Sequence, residues 1–179
     1  MIYDIIRKIL KGSVSVMADI AQLLGTMITY YNGDPKRIQH FVKVHDLART
    51  IGVLEGLDQK TLLILEAAAA VHDIGIRICE LKYGKCDGAL QELEGPPLAG
   101  DMLRALGFDE SVTERVCWLV GHHHSYNEID SWDHQILVEA DLLVNLYEDG
   151  SSKETIRNAY EKMFSTETGK LFCRKIFDL

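Results

Sequence analysis

Seven histidines, His40, His45, His72, His122, His123, His124 and His134, are the side chains of this 179-residue chain best suited to chemistry. An imidazole holds a transition metal or moves a proton near neutral pH, so the question is which of them point inward. Arg37, His40, Phe41, Val44, Leu47, Ala48 and Ile51 recur at the i, i+3/i+4, i+7 spacing of one helix face, which sets His40 on an apolar stripe. Leu62, Leu65, Ala68 and His72 share the face of a second helix, with Asp73 one step round. Val112, Val116, Val120 and His123 align on a third, and Leu137, Asp141 and Val144 on a fourth. A single inward histidine is ordinarily a core residue bonded to a carbonyl. Asp141 is different, because a carboxylate buried in a bundle costs several kcal/mol unless it is paired or bound to a metal. Four helices that each turn a His or Asp inward imply a common partner. Imidazole nitrogens mixed with carboxylate oxygens suit Mn, Fe, Zn, Ni or Co better than Ca.

The elements that must position these groups read as helices almost throughout. Ile2, Ile5, Ile6, Ile9 and Leu10 lie at helical spacing, and an apolar stretch runs from Val14 to Tyr31 before Asn32-Gly33 breaks it. Asp34-Pro35 predicts a helix start, with the helix running to about Gly52. Asp58 caps a helix to Ile74, with Gly75 as its stop. Arg77 to Gly95, with Gly84, Gly88 and Gly95, reads as a long irregular connection at the mouth of a pocket. Pro96-Pro97 then opens a short helix ending at Gly107, and Asp109 caps one that continues through His124. Another begins at Trp132 or Asp133 and runs to Asp149, and Ser151/Ser152 starts a last helical region. No segment alternates with period two. The expectation is one all-α domain, with residues 34–179 as the helical core and 1–33 as an N-terminal extension that packs on it or mediates homodimerisation.

Composition narrows the classes of function. The chain is 47% hydrophobic and 26% charged, enough to bury one core. A net charge of −8 disfavours nucleic-acid polymers as partners, although a metal-centred site can still take a small phosphorylated ligand. No apolar run approaches a membrane span, and charges interrupt the N-terminus, so it is not read as a signal peptide. Cys79, Cys86, Cys117 and Cys173 lack framework spacing and read as reduced thiols, which points to the cytoplasm.

The order His40, then His72-Asp73 in EAAAAVHDIG, then Asp141 in VEADLLVNL resembles the HD-domain phosphohydrolase superfamily. RIQHFVKVHDLARTIGVLEGLD is similar to its first motif, and LVGHHHSY to the later histidine stretch, with Val120 registering His123 and His124 and leaving His122 as the extra one. The likeness spans roughly residues 34 to 148. It implies an all-α HD-type bundle and hydrolysis of a small phosphoester, a nucleotide first, by a metal-activated water. By the same resemblance His40, His72, Asp73 and Asp141 are the metal ligands, Asp73 also orients the water, and His123, with His124 as a second candidate, positions a phosphate or protonates the leaving oxygen. His123 and His124 are the candidates for substrate or a second metal, and Arg37 and Arg77 for phosphate oxygens. Departures shape this reading. Dimetal members carry a histidine between the HD pair and the later histidines, where this chain has Pro96, with Glu94 as a conceivable oxygen ligand. Ile76 stands where cyclic-dinucleotide hydrolases have lysine, and SYNEIDSW lacks their GYP motif. One tightly held divalent transition metal is therefore expected. The alternatives are an HD-type di-iron oxygenase and a non-catalytic metal-binding signalling module. His45-Asp46, mid-helix, is a decoy at the surface or rim, and His134 an ordinary helix-start residue.

Overall fold

Most helices start where the sequence offers a short oxygen-bearing side chain to an unpaired backbone amide, a bond worth about 1 kcal/mol. In the computed structural model, which describes residues 19–179, Asp19 accepts from the Ala21 amide at the start of α1 (Ile20–Tyr30). Asp34 accepts from the Arg37 amide at α2 (Pro35–Leu54), and Asp58 from those of Lys60 and Thr61 at α3 (Gln59–Val71). Asp87, Ser152 and Thr166 cap α5 (Gly88–Ala105), α8 (Lys153–Met163) and α9 (Glu167–Phe177). The helices α4 (Ile76–Tyr83), α6 (Glu110–Val120) and α7 (Trp132–Glu148) begin without such a bond. These nine helices, with no strand among the described residues, form an all-α bundle. The expected helix through Ile2, Ile5, Ile6, Ile9 and Leu10 lies outside the described residues.

The core is built around α3, whose run Ala67–Val71 is buried on every side. Small side chains let neighbours approach closely, and α2, α6 and α7 pack on it, with α1 against its outer part. The second internal helix is α7, buried at every position from Asp133 to Asp141. It carries Gln135, Glu139 and Asp141 inside, so each needs a partner there.

Four expectations are corrected. The segment 77–95 is not an irregular connection, for it forms α4 and the first half of α5. Gly84 ends α4 in the left-handed region (φ +67), whereas Gly95 serves contact: a Cβ on Gly75 would meet the Gly95 amide nitrogen at 3.0 Å, so the turn before α4 lies backbone to backbone against α5. Pro96 and Pro97 sit inside α5 instead of opening a helix. The helix after Asp109 ends at Val120, and His122, His123 and His124 follow in a turn. The last helical region divides into α8 and α9, with Phe164 extended between them.

Glu139 joins α7 to this C-terminal pair. It is fully buried and accepts from Gln135 Nε2 (2.8 Å), the Ser165 and Thr166 amides (2.6 and 2.9 Å) and the Thr166 hydroxyl. A Cβ on Gly169 would fall 1.9 Å from Glu139 Oε2 and 2.7 Å from Thr166 Oγ1. Gly169→Ala must therefore displace a carboxylate held by four bonds, and is expected to cost about 3 kcal/mol of stability. An unchanged midpoint in denaturant unfolding would contradict that packing.

Candidate metal centre

His40 reaches the interior from the second turn of α2, and His72 from the C-cap of α3. Asp73 lies in the turn between α3 and α4, and Asp141 in the middle of α7. His40 Nε2 is 3.2 Å from His72 Nε2, 3.2 Å from Asp141 Oδ1 and 3.4 Å from Asp73 Oδ2. His72 Nε2 is 3.5 Å from both carboxylates. Ligand atoms of His40, His72 and Asp73 lie within 4.8 Å of one another, and so do those of Asp73, His123 and His124. Asp73 belongs to both groups.

The other ring nitrogens decide what converges. His72 Nδ1 donates to the Ala69 carbonyl (2.9 Å), and His123 Nδ1 to that of Val120 (2.8 Å). His40 Nδ1 donates to Glu148 Oε2 (3.1 Å), whose other oxygen accepts from Lys43 Nζ at 2.5 Å. With Nδ1 protonated in all three neutral rings, each Nε2 turns a lone pair toward the carboxylates. Asp141 Oδ1 and His123 Nε2 are buried without a hydrogen-bond partner of proper geometry, short as the distances are. Lone pairs facing carboxylates repel unless protons or a cation stand between them, and the donor set fits a divalent transition metal. Glu148 and Lys43, which the sequence reading missed, fix the His40 ring from behind. Tyr31 and Tyr30, also missed, donate their hydroxyls to the Asp73 and Ile74 carbonyls (2.7 and 3.1 Å) and pin the turn that carries Asp73.

Without a metal, protons take its place. Burial opposes a charge on His72, but Asp73 and then Asp141 outweigh it and raise its pKa from 6.5 to about 9. Burial likewise opposes ionisation of Asp141, yet His40 and His72 hold it far below the usual carboxylate range. A raised histidine stabilises the metal-free fold fully below pH 6.5 and loses that contribution as pH rises through about 9. Metal binding needs the same nitrogen unprotonated. Between pH 6.5 and 9 the metal-free Tm is therefore expected to fall while metal affinity rises, by up to about tenfold per pH unit for one displaced proton. An affinity independent of pH in titration calorimetry would contradict this.

A cavity of about 420 Å³ opens onto the cluster, lined by His40, Asp73, Asp141, His124, Arg37 and Gln91 among others. His124 is on this wall, whereas His123 stands behind Asp73, its Nε2 3.9 Å from Asp73 Oδ1. Burial, then His124 and His72, push the His123 pKa well below its ordinary value, which keeps the ring neutral. Arg37 reaches the cavity but is bonded to Asp34 and Glu80, both at 2.6 Å. Arg77 is not on this wall, because its guanidinium donates to the Tyr30 carbonyl and covers the Tyr30 ring. Glu94 is engaged elsewhere, with Lys82 and Tyr83. His45 stays apart from the cluster, 3.9 Å from Glu66, though it is largely buried rather than at the surface. His122 turns away and stacks on Trp118. His134 is no ordinary helix-start residue: it is fully buried, and its Nε2 donates to the His122 carbonyl, which fixes the histidine turn.

A family model described as the HD domain matches residues 37–157. No curated protein and no solved structure matches the chain. No helix among the described residues is long and apolar enough to cross a membrane.

Proposed function

The chain belongs to the HD-domain family, and from that premise we propose that it is a metal-dependent phosphohydrolase acting on a small phosphoester, nucleotides included. The observation that carries the reading is the convergence of His40, His72, Asp73 and Asp141, with inward lone pairs, at the floor of a cavity of small-molecule size. When bound, a divalent ion supplies Lewis acidity and a water that ionises near neutral pH. Asp73 serves as acceptor for the attacking water, and the neutral His123 ring stands 3.9 Å behind its Oδ1 and bounds the carboxylate on that side. Of the two histidines expected to serve the leaving oxygen, His124, on the wall and 3.4 Å from Gln91 Oε1, is the one that gives it a proton. Arg37, tied to two carboxylates, orients more than it charges the phosphate end.

One tight ion is the stoichiometry proposed. The first group has three side chains with Asp141 facing its two imidazoles as a fourth; the second offers His123 and His124 with an Asp73 already shared. That second group is the observation in favour of a dimetal oxygenase. The reading carries with it a cytoplasmic setting and a small phosphorylated partner, supported by the cysteine pattern and the net charge of −8. The test is hydrolysis of an aryl phosphate by metal-loaded and chelator-treated protein. Turnover that disappears with chelator and returns with Mn²⁺ or Zn²⁺ is expected; iron-dependent oxygen uptake without phosphate release would favour the oxygenase.

A further inference from the structure

The charges on the cavity wall bear on how many phosphates its substrate carries. The wall holds five carboxylates, Asp34, Asp73, Asp141, Glu148 and Asp149, against two cations, Lys36 and Arg37. Asp73 and Asp141 face the metal. Arg37 is neutralised by Asp34 and Glu80, each 2.6 Å away. Glu148 is occupied by His40 and by Lys43, which is not itself on the wall. Two charges are left over. Among the described residues, exposed Lys36 in the first turn of α2 has no carboxylate within 4.0 Å and exposed Asp149 has no cation within that distance. Asp149 is also the C-cap of α7, so the negative end of that helix dipole adds to its charge at the same rim.

A dianionic phosphoryl group set between the metal and Lys36, with His124 giving its proton to the leaving oxygen, engages every positive centre that this wall has to spare. Wherever a second phosphate is placed, it finds no uncommitted cation and approaches Asp149, Glu148 or Asp34. Apart from the histidines, the remaining wall is uncharged: apolar Ile76, and the Gln91 and Asn145 amides, which offer hydrogen bonds to hydroxyl groups. We propose that the substrate is a phosphomonoester with a single phosphate on a neutral, hydroxylated leaving group, and that Asp149 is the residue that turns di- and triphosphates away. This rests on the phosphohydrolase reading of the site and narrows it.

The experiment compares kcat/KM of the metal-loaded protein for the mono-, di- and triphosphate of one nucleoside and for a sugar monophosphate, with and without added Mg²⁺. Calorimetric binding of inorganic phosphate, pyrophosphate and tripolyphosphate gives a readout independent of turnover. Monophosphates are expected to exceed the triphosphate by about 10²-fold, since like charges brought together in one site suppress the wrong ligand. The better of the two monophosphates identifies the leaving group as nucleoside or sugar. Lys36→Ala should weaken phosphate binding, and Asp149→Lys should raise the triphosphate-to-monophosphate ratio by about tenfold or more. A wild type that takes the triphosphate as well as the monophosphate, or an Asp149→Lys protein with an unchanged ratio, would overturn the proposal while leaving the hydrolase reading intact. No hydrolysis of any ester, with phosphate still bound and pyrophosphate refused, would overturn the hydrolase reading and leave the one-phosphate cavity standing.

Discussion

Asp73→Ala is expected to remove both the bound metal and the hydrolysis of an aryl phosphate, with turnover falling on the order of 10⁴-fold, as when one member of a catalytic unit is deleted. The size of the effect follows from its position. Its Oδ2 is 3.4 and 3.5 Å from the His40 and His72 nitrogens, and its Oδ1 faces His123. Every arrangement of one or two ions uses this carboxylate, since it alone belongs to both ligand groups. Removing it also leaves Asp141 as the only carboxylate directly facing the two imidazoles. The fold should survive, because the turn is held through its backbone by Tyr31 and Tyr30 rather than through the Asp73 side chain. Elemental analysis and circular dichroism on the same sample separate loss of metal from loss of structure. Stoichiometric transition metal retained in the folded variant would sink the proposed ligand set.

His123→Ala is expected to cut turnover by roughly 10–100-fold while the tight metal stays, the effect of removing a residue that stands behind a ligand rather than of removing the acid itself. The ring is 1% exposed, its Nδ1 is committed to Val120, and its unpaired Nε2 faces Asp73 from the side away from His40. It touches Asp73 rather than the cavity, so the loss should fall on kcat and leave KM nearly unchanged. His122→Ala, which removes a ring stacked on Trp118 outside the cluster, should change neither metal nor turnover much. Two metal equivalents in the wild type, falling to one in His123→Ala, would overturn this account and promote a dimetal centre.

How far the site was legible in the sequence varied from group to group, and helical phase explains much of it. His40 and Asp141 sit inside long helices, where a period of 3.6 correctly turns them to the core. The HD pair was legible because small and apolar residues lead up to it and a helix ends there. His123 reached the interior for a different reason than its phase suggested, since α6 stops at Val120 and a turn delivers the ring. Glu148 was invisible because a glutamate at a helix end reads as solvated, and only the fold brings it beside His40 and Lys43 of α2. Tyr30 and Tyr31 act through carbonyls forty residues away, which no local pattern encodes. The misread stretch from Arg77 to Gly95 shows the limit of punctuation: Gly95 permits close contact with Gly75, while the same letter in a loop permits a turn.

The central claim is that His40, His72, Asp73 and Asp141 together hold one divalent ion. Anomalous diffraction from crystals of protein purified without chelator, recorded on both sides of the metal's absorption edge, tests it most directly. The account predicts one strong peak at about 2.0–2.2 Å from a nitrogen or oxygen of all four side chains. A peak held by Asp73, His123 and His124 alone, or no peak among these residues in a crystal whose protein carries metal by elemental analysis, would contradict it.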